Sequence, residues 1–325
     1  MRLRRSDPAG PGYGRRRRGR GFSYLDPDGT VIRDRDTLAR IRGLVIPPAW
    51  TDVWISPDPR GHIQATGVDA AGRTQYRYHP DWRTARDGEK FDHVLEVAGR
   101  LPAIRDRIRA DLTTGRGLTR DRVLAAIVRL LDLNAFRVGG DEYADRDEDP
   151  SYGLSTLKPE HLRAHRGTVI LDFPGKSGVA HTRTVDDAEV CAVLRDLRRR
   201  RRREPRLFAY WDAGRRRWQV IDAGMINDYL REISGRRMTA KDFRTWHGTV
   251  KAAAELAAAG PQPTRGRRRK AVAAAMEQVA ELLGNTAAVA RASYVDPRVV
   301  EHYEHGEVAE RGDERAVRRL LRDDH

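Results

Sequence analysis

The sequence predicts an α+β protein in which a small, β-rich N-terminal domain precedes a larger, mainly α-helical domain with a small β-hairpin or sheet. Three observations predict this class. Short alternating segments separated by turns fill residues 53–78. Residues 119–131 carry apolar side chains at helical spacing. Residues 169–183 contain two β-prone runs joined by a Pro-Gly-Lys-Ser-Gly turn.

Composition and turn signals divide the chain into three parts. Residues 1–20 contain Arg, Gly and Pro with few apolar side chains, so we expect a basic, disordered tail. Residues 21–88 form the β-rich domain and residues 89–325 the helical domain. The polar stretch 86–89 is predicted to be the linker between the two domains.

The strands of the first domain are predicted at residues 53–56, 62–67 and 74–78, each bounded by Gly, Pro or Asp turns. Side chains alternate between the two faces of a strand. This alternation places Tyr76 and Tyr78 on one face of the third segment.

Capping side chains mark the helix starts of the second domain. Thr119 precedes a helix with a single apolar stripe, and Asp222 precedes a helix that stops at Gly235. Thr239 opens a capping box that leads into the alanine-rich residues 252–259.

A last pattern concerns the arginine-rich residues 265–270, which follow two prolines and are predicted as a loop. The helix after them is predicted over residues 269–283 and ends at Gly284. Positive charge in such a loop is suited to a phosphate partner, and a solvated surface is the alternative.

The chain is strongly basic, since 62 Lys and Arg against 47 Asp and Glu give a formal net charge of +15. Such a charge indicates a polyanionic partner, of which nucleic acid is the commonest and an anionic membrane surface the alternative. No apolar run approaches the ~20 residues that span a bilayer. Cys191 is the single cysteine, which excludes an intrachain disulfide and a thiolate metal cluster.

Five side chains supply the groups needed to break and reseal a phosphodiester without a metal: Tyr294, Arg137, Arg244, Lys176 and Asn285. A nucleophile must attack phosphorus, and fixed cations must stabilise the negative charge that develops. A positioned acid must protonate the departing sugar oxygen. A phenol suits the nucleophile because its oxygen also leaves readily, which makes the step reversible.

Seven segments, four of which contain these five side chains, follow a characteristic order. They are residues 46–50 (IPPAW), 72–78 (GRTQYRY), 133–143 (LNAFRVGGDEY), 151–157 (SYGLSTL), 173–178 (FPGKSG), 241–246 (KDFRTW) and 283–297 (LGNTAAVARASYVDP). In these segments the chain resembles the type IB DNA topoisomerases, in the small form found in bacteria and poxviruses. The resemblance runs from about residue 22 to about residue 305, and its specificity lies in the order of the motifs rather than in any one of them.

The resemblance implies a role for each candidate. Tyr294 would attack phosphorus and form a 3′-phosphotyrosyl link. Arg137 and Arg244 would bind the non-bridging phosphate oxygens, to which a planar guanidinium is suited. Lys176 would be the general acid toward the 5′-oxygen, with Arg137 assisting. Asn285 stands where poxvirus and eukaryotic members have histidine, and its amide donates a hydrogen bond without carrying charge.

The resemblance also implies DNA contacts outside the reacting groups. Gln75, Tyr76 and Tyr78 match residues that contact DNA in the poxvirus enzyme. Lys241 lies three residues before Arg244, where tyrosine recombinases usually carry histidine, and is assigned to DNA binding.

Three alternatives remain open from the sequence. A site-specific tyrosine recombinase shares the helical fold and the tyrosine chemistry, although Lys241 and the N-terminal strands favour a topoisomerase. A non-catalytic basic DNA-binding protein would depend on charge alone and would form no covalent adduct. An RNA-binding protein is not excluded by charge, but no aromatic RNA-binding signature is present.

As a whole, the resemblance implies a monomer whose two domains clamp duplex DNA. One strand would be nicked, the free end would rotate and the strand would be resealed. We expect no metal, no ATP and no other cofactor, no membrane association, and action on the nucleoid in the cytoplasm.

Overall fold

The computed structural model describes residues 3–115, 117–165, 168–200 and 205–322. The chain divides into two compact units, Met1–Asp92 and His93–His325. The predicted α+β class is confirmed: a small antiparallel sheet dominates the first unit, and helices with small sheets form the second.

The first unit is built on a five-stranded antiparallel sheet. Its strands are β1 (Tyr13–Arg18), β2 (Gly21–Leu25), β3 (Thr51–Ile55), β4 (Ile63–Val68) and β5 (Thr74–Tyr78), in the spatial order β2-β1-β3-β4-β5. Helix α1 (Arg35–Gly43) contributes Ile41 to a core that it shares with Val53, Ile55 and Ala65. The alternating apolar residues of β3 and β4 therefore face this core, as their pattern predicts.

Residues 1–20 differ from the expected disordered tail, because Tyr13–Arg18 forms β1, which pairs with β2 on one side and β3 on the other. The arginine run is therefore part of a β-strand. The Arg15 guanidinium lies 4.2 Å from the centroid of the Phe22 ring and donates a hydrogen bond to the Pro47 carbonyl oxygen at 3.0 Å. The Arg15 side chain is thus packed against an aromatic ring and hydrogen-bonded within the fold, which composition alone does not reveal.

The second unit is mainly helical. Its helices are α2 (Pro80–Thr113, which begins in the first unit), α3 (Arg120–Asn134), α4 (Asp141–Ala144), α5 (Ala188–Arg199), α6 (Ala223–Ser234), α7 (Ala240–Ala259), α8 (Arg265–Leu283), α9 (Ala287–Tyr294), α10 (Pro297–Glu304) and α11 (Glu314–Leu320). A three-stranded antiparallel sheet contains β6 (Leu162–His165), β7 (Thr168–Pro174) and β8 (Ala180–Val185) in chain order, and a second hairpin pairs β9 (Ala209–Asp212) with β10 (Arg217–Val220).

Helix α3 is the centre of the second unit, where residues such as Leu124 and Ile127 are fully buried. Thr119 caps its first turn as predicted. Asp222 likewise caps α6, which ends at Gly235 in the left-handed conformation. These helix boundaries are confirmed because a capping side chain is a local signal.

An ion-pair network joins α2 and α3. Asp132 of α3 accepts hydrogen bonds from Arg105 of α2 at 2.8 Å and from Arg129 at 2.9 Å. His247 of α7 lies 3.5 Å from the same carboxylate. Because Asp132 is almost completely buried, loss of its partners would leave an unpaired charge in the core, which is strongly destabilising. The network therefore fixes α2 against α3, with the His247 ring of α7 beside it.

Two segments that were predicted to be a linker and a loop are helical. Residues 86–89, expected to be the linker, lie inside α2, and the unit boundary follows Asp92. Residues 265–270, expected to be a loop, form the first turns of α8, which Thr264 caps. Arginine has high helix propensity, so a run of arginines after a cap continues as helix. Among the described helices, none is long and apolar enough to cross a membrane.

Candidate active site

The position of Arg137 follows from the way α3 ends. Ala135 adopts the left-handed conformation, with φ 50° and ψ 33°, and its N–H donates to the Leu131 carbonyl oxygen. This turn reverses the chain and buries Phe136. Arg137 follows directly and leaves the helix toward the turn between α8 and α9.

Arg137 binds that turn through three hydrogen bonds. Its Nη1 donates to the Leu283 carbonyl oxygen at 3.3 Å, and its Nη2 donates to the Gly284 carbonyl oxygen at 3.1 Å. Nη2 also donates to Asn285 Oδ1 at 2.7 Å. The first arginine and the amide of the predicted site are therefore in direct contact.

Arg244 approaches the same turn from α7. Its side chain is 5% exposed, and its guanidinium donates to the carbonyl oxygens of Ala135 and Leu283, the latter at 2.9 Å. Arg137 and Arg244 thus share one acceptor. Within the part of the chain that the structure describes, neither arginine pairs with a carboxylate.

Burial affects the electrostatics of both arginines. It lowers the pKa of Arg244 to about 10, and the neighbouring Arg137 adds to that lowering, while the Tyr294 side chain opposes it. Burial also lowers the pKa of Arg137. A pKa of about 10 still leaves Arg244 cationic at neutral pH, so the site holds two close positive charges.

The oxygen of the Asn285 side-chain amide has a hydrogen-bond partner, and its nitrogen has none in the described structure. Its Oδ1 accepts from Arg137, which fixes the orientation of the amide. Its Nδ2 is buried and has no hydrogen-bond partner in the described structure. A buried donor without a partner is costly unless a ligand completes it.

Tyr294 is the last residue of α9 and lies against α7. The Arg244 guanidinium carbon lies 5.1 Å from the centroid of the Tyr294 ring. Gly248 permits this approach, because a Cβ there would lie 2.7 Å from the Tyr294 carbonyl oxygen. The Thr249 hydroxyl donates to that same oxygen at 3.3 Å. One face of α7 therefore holds both the second arginine and the tyrosine.

Lys176 lies in the hairpin between β7 and β8, where the predicted turn is confirmed. The hairpin is closed by a hydrogen bond from the Gly175 N–H to the Val179 carbonyl oxygen at 2.8 Å. Lys176 is exposed. It shares a cavity of about 260 Å³ with Arg137, and the lining also includes Gly139, Tyr143 and Tyr152. The structure thus brings the lysine to the same side as the first arginine.

His181 also belongs to the site, where its ring lies close to Gly175 and Gly284, although no sequence motif selected it. Its ring packs against the rings of Phe136 and Phe173, with centroid distances of 6.3 and 5.3 Å. Burial lowers its pKa to about 4, and Arg183, Arg137 and Arg244 add to the effect, so the imidazole is neutral at pH 7. The alternation of β8 would have placed His181 inward, but no sequence signal shows which residues it meets.

Two glycines leave space for the His181 ring. A Cβ at Gly175 would lie 2.4 Å from His181 Cδ2, and a Cβ at Gly284 would lie 3.1 Å from His181 Cε1. The imidazole therefore fills the space between the lysine hairpin and the turn that Arg137 binds.

Two family models cover most of the chain. The model of the "Eukaryotic DNA topoisomerase I, catalytic core" matches residues 79–316, and that of the "Bacterial DNA topoisomerase IB, N-terminal domain" matches residues 21–69. The chain belongs to the type IB DNA topoisomerases. A similar protein is the DNA topoisomerase 1B of Acanthamoeba polyphaga mimivirus, which is 29% identical over 299 residues, covering 90% of this chain and 88% of that protein.

Membership of this family makes the chain an isomerase that changes the topology of DNA, its substrate. The recombinase and the non-catalytic alternatives are therefore set aside. All five candidate catalytic residues lie within the matched range 79–316. Their individual roles in this topoisomerase remain predictions.

The predicted DNA-binding residues lie partly outside the matched ranges. Tyr76 and Tyr78 are exposed on one face of β5 and stack with a centroid distance of 5.8 Å. Gln75 lies on the opposite face, where its Nε2 donates to Asp69 Oδ2 at 2.9 Å. Lys241 is exposed in the first turn of α7. The shared face of the two tyrosines is confirmed, and their contact with DNA stays a prediction.

The tight contact at Gly175 leads to a prediction for this topoisomerase. Gly175→Ala would force its methyl group into the His181 ring and displace the Lys176 hairpin. We expect plasmid relaxation to slow by on the order of 100-fold, since a displacement of about 1 Å can have that effect.

The control for this prediction is Gly266→Ala, because open space surrounds that position in α8. The double variant Gly175→Ala/His181→Ala should recover part of the lost rate, since it removes the clash. Equal relaxation rates for Gly175→Ala and the wild type would contradict the contact.

Proposed function

We propose that this topoisomerase relaxes supercoiled duplex DNA by cutting one strand through a 3′-phosphotyrosyl link at Tyr294, allowing rotation and resealing the strand. The observation that carries this proposal is the pair of a half-buried Arg137 and a buried Arg244 beside the tyrosine, neither of which has a carboxylate partner among the described residues. Two close cations repel each other until an anion lies between them. A phosphodiester with two non-bridging oxygens fits that requirement.

The guanidiniums would stabilise the transition state rather than the bound DNA alone. Negative charge on the non-bridging oxygens increases as the tyrosine oxygen bonds to phosphorus. Backbone carbonyls hold Arg137 and Arg244 in place before DNA arrives. Little reorganisation is then required when the charge develops.

The proton balance of cleavage involves Lys176. The bond from phosphorus to the 5′-oxygen breaks as the bond from Tyr294 Oη forms. The ammonium of Lys176 would donate a proton to the departing 5′-oxygen, and the phenol proton is released to solvent. Resealing reverses each step.

This chemistry requires neither ATP nor a metal ion. The phosphotyrosyl bond conserves the energy of the phosphodiester, so resealing needs no activation. Torsion stored in the DNA drives the rotation. Fixed cations of the protein stabilise the negative charge that a metal ion would otherwise neutralise. Because one chain supplies all five candidate side chains, we propose that a monomer acts on chromosomal DNA in the cytoplasm.

The test is relaxation of a supercoiled plasmid in EDTA without ATP. We expect complete relaxation through a ladder of topoisomers. Relaxation that requires added magnesium or ATP at every enzyme concentration would refute the proposed mechanism while leaving the family assignment intact.

Asn285 provides a separate prediction. We expect Asn285→Ala to slow cleavage by roughly 10-fold or more, because a hydrogen bond to a charged group contributes about 1.5–3 kcal/mol. The buried Nδ2 without a partner is the donor that would be lost. Single-turnover cleavage of a short duplex measures the effect.

The matched variant Asn285→His retains a donor at this position and should keep most of the rate. Asn285→Asp would place a negative charge beside the phosphate and should be slower than Asn285→Ala. A rate for Asn285→Ala equal to that of the wild type would exclude a role in catalysis.

A further inference from the structure

The imidazole of His181 lies beside three of the candidate catalytic residues without being one of them. It packs close to the residue that immediately precedes each of the three in the chain. These contacts are with Phe136 before Arg137, with Gly175 before Lys176, and with Gly284 before Asn285. A guanidinium, an ammonium and an amide of the site are therefore each one residue away from the same ring.

The closest of these contacts is with the lysine hairpin. A Cβ at Gly175 would lie 2.4 Å from His181 Cδ2 and 2.5 Å from its Nε2, so the ring lies directly against the hairpin backbone. At Gly284 the corresponding distance is 3.1 Å, to His181 Cε1. Different atoms of the ring face the two glycines most closely. The imidazole is thus a spacer between the hairpin and the turn that joins α8 to α9.

Arg137 and Asn285 are held in place independently of this ring. Arg137 donates three hydrogen bonds to the turn between α8 and α9, one of them to Asn285 Oδ1 at 2.7 Å. The Asn285 N–H donates to the Ala280 carbonyl oxygen at 2.9 Å, which fixes the turn to the end of α8. Loss of the imidazole would leave these bonds intact.

The hairpin that carries Lys176 has no such bonds to the turn. The Gly175 N–H donates to the Val179 carbonyl oxygen at 2.8 Å, but this bond closes the hairpin upon itself. Among the hydrogen bonds of the described residues, none joins the hairpin to the turn between α8 and α9. The packed ring of His181 is the contact that spans the two.

The chemistry of the ring favours a steric role. Burial lowers the pKa of His181 to about 4, and Arg183, Arg137 and Arg244 add to the effect. The imidazole is therefore neutral at pH 7, which makes it a poor proton donor and adds no charge beside the arginine pair. What remains is its volume and its planar shape.

We propose that His181 is a positioning residue, which sets the place of Lys176 relative to Arg137 and Asn285. The ring acts on the reaction through the hairpin, because Arg137 and Asn285 keep their own bonds without it. A misplacement of about 1 Å can slow a reaction by on the order of 100-fold, so the seat of the hairpin affects the rate. The proposal rests on the proposed function for the role of Lys176 as the acid.

The test compares cleavage of two duplexes by His181→Ala. One has the natural 5′-bridging oxygen, and the other has sulfur there, which leaves without a proton from Lys176. We expect the variant to be roughly 10- to 100-fold slower than the wild type on oxygen and nearly as fast on sulfur. Both single-turnover rates come from one preparation, so partial unfolding cannot change their ratio. Equal slowing on both duplexes would overturn the proposal.

Two other variants test whether the effect passes through the lysine. His181→Ala/Lys176→Ala should be no slower on oxygen than Lys176→Ala, because a hairpin without its lysine has nothing to position. Multiplied losses would contradict this. His181→Asn keeps a planar, neutral group near Gly175 and loses the part of the ring that faces Gly284. Its rate on oxygen should exceed that of His181→Ala, and a rate no faster would contradict the steric role.

The matched control is His161→Ala. His161 is another half-buried imidazole with a pKa lowered by burial, and its ring lies 6.2 Å from that of Phe173, which also packs against His181. It is not among the nearest neighbours of Gly175 or Gly284. We expect His161→Ala to keep the wild-type ratio of the oxygen and sulfur rates. The same change of ratio in both histidine variants would indicate a general loosening of the aromatic cluster and overturn the proposal.

Amide hydrogen exchange of the DNA-free protein provides a readout that needs no cleavage. We expect His181→Ala to speed exchange in a peptide covering residues 172–180 and to leave a peptide covering residues 280–287 unchanged. Unchanged exchange in the first peptide would overturn the proposal. Absence of cleavage in the wild type, or equal slowing of Lys176→Ala on both duplexes, would refute the proposed function or its acid, whereas exchange would still decide whether His181 holds the hairpin.

Discussion

Tyr294→Phe is expected to abolish strand cleavage and plasmid relaxation while leaving DNA affinity nearly unchanged. The substitution removes one oxygen atom, which is the proposed nucleophile. The ring remains to pack beneath the Arg244 guanidinium, 5.1 Å from its centroid. Without the hydroxyl no bond to phosphorus can form. The transition state that the fixed cations would stabilise is therefore not reached. Denaturing gels of enzyme mixed with labelled duplex measure the covalent adduct.

The matched control for this prediction is Tyr303→Phe. The Tyr303 hydroxyl is buried and donates to the Gly260 carbonyl oxygen at 2.9 Å, away from the arginine pair. Its loss should reduce stability by about 1 kcal/mol and leave cleavage intact. Adduct formation by Tyr294→Phe at the wild-type rate would show that another residue is the nucleophile.

Lys176→Ala is expected to produce the second large effect. Loss of a general acid slows a reaction by roughly 10²–10⁴-fold. A duplex with sulfur in place of the 5′-bridging oxygen has a better leaving group that needs no proton. Lys176→Ala should therefore cleave the sulfur substrate at nearly the wild-type rate. Single-turnover rates on both substrates test this result.

Two other variants make the comparison decisive. Arg244→Ala should be slow on both substrates, because its proposed contact is with the non-bridging oxygens. Lys251→Ala removes a lysine that pairs with Glu255 at 2.6 Å on the same helix as Arg244, and it should be fast on both. Equal slowing of Lys176→Ala on the oxygen and sulfur substrates would contradict the role of the lysine as an acid.

Local signals account for what the sequence predicted correctly. The caps at Thr119 and Asp222 and the hairpin around Lys176 depend on neighbouring residues alone, and the structure confirms them. Strand β1 was missed because its arginines resemble a disordered basic run. The decisive contact of Arg15 with Pro47 joins residues far apart in the chain.

In the site, too, the sequence identified residues but not the contacts between them. Ordered motifs selected Arg137 and Asn285, but their hydrogen bond spans 148 positions and has no local signature. His181 was missed because its importance comes from Gly175 and Gly284, which contact it from two different elements. Spatial convergence of this kind appears only once the chain is folded.

The central claim is a covalent link between Tyr294 and a 3′-phosphate, formed without a metal. The measurement that tests it most directly uses a nicked duplex whose short 5′-hydroxyl fragment dissociates after cleavage, so that the adduct accumulates in EDTA. Protease digestion and mass spectrometry then identify the attached peptide. We predict that the modified peptide contains Tyr294 and carries the 3′-phosphate end of the cut strand. An adduct on another residue, a link to the 5′-phosphate end, or an adduct that forms only with added metal would contradict the proposed mechanism.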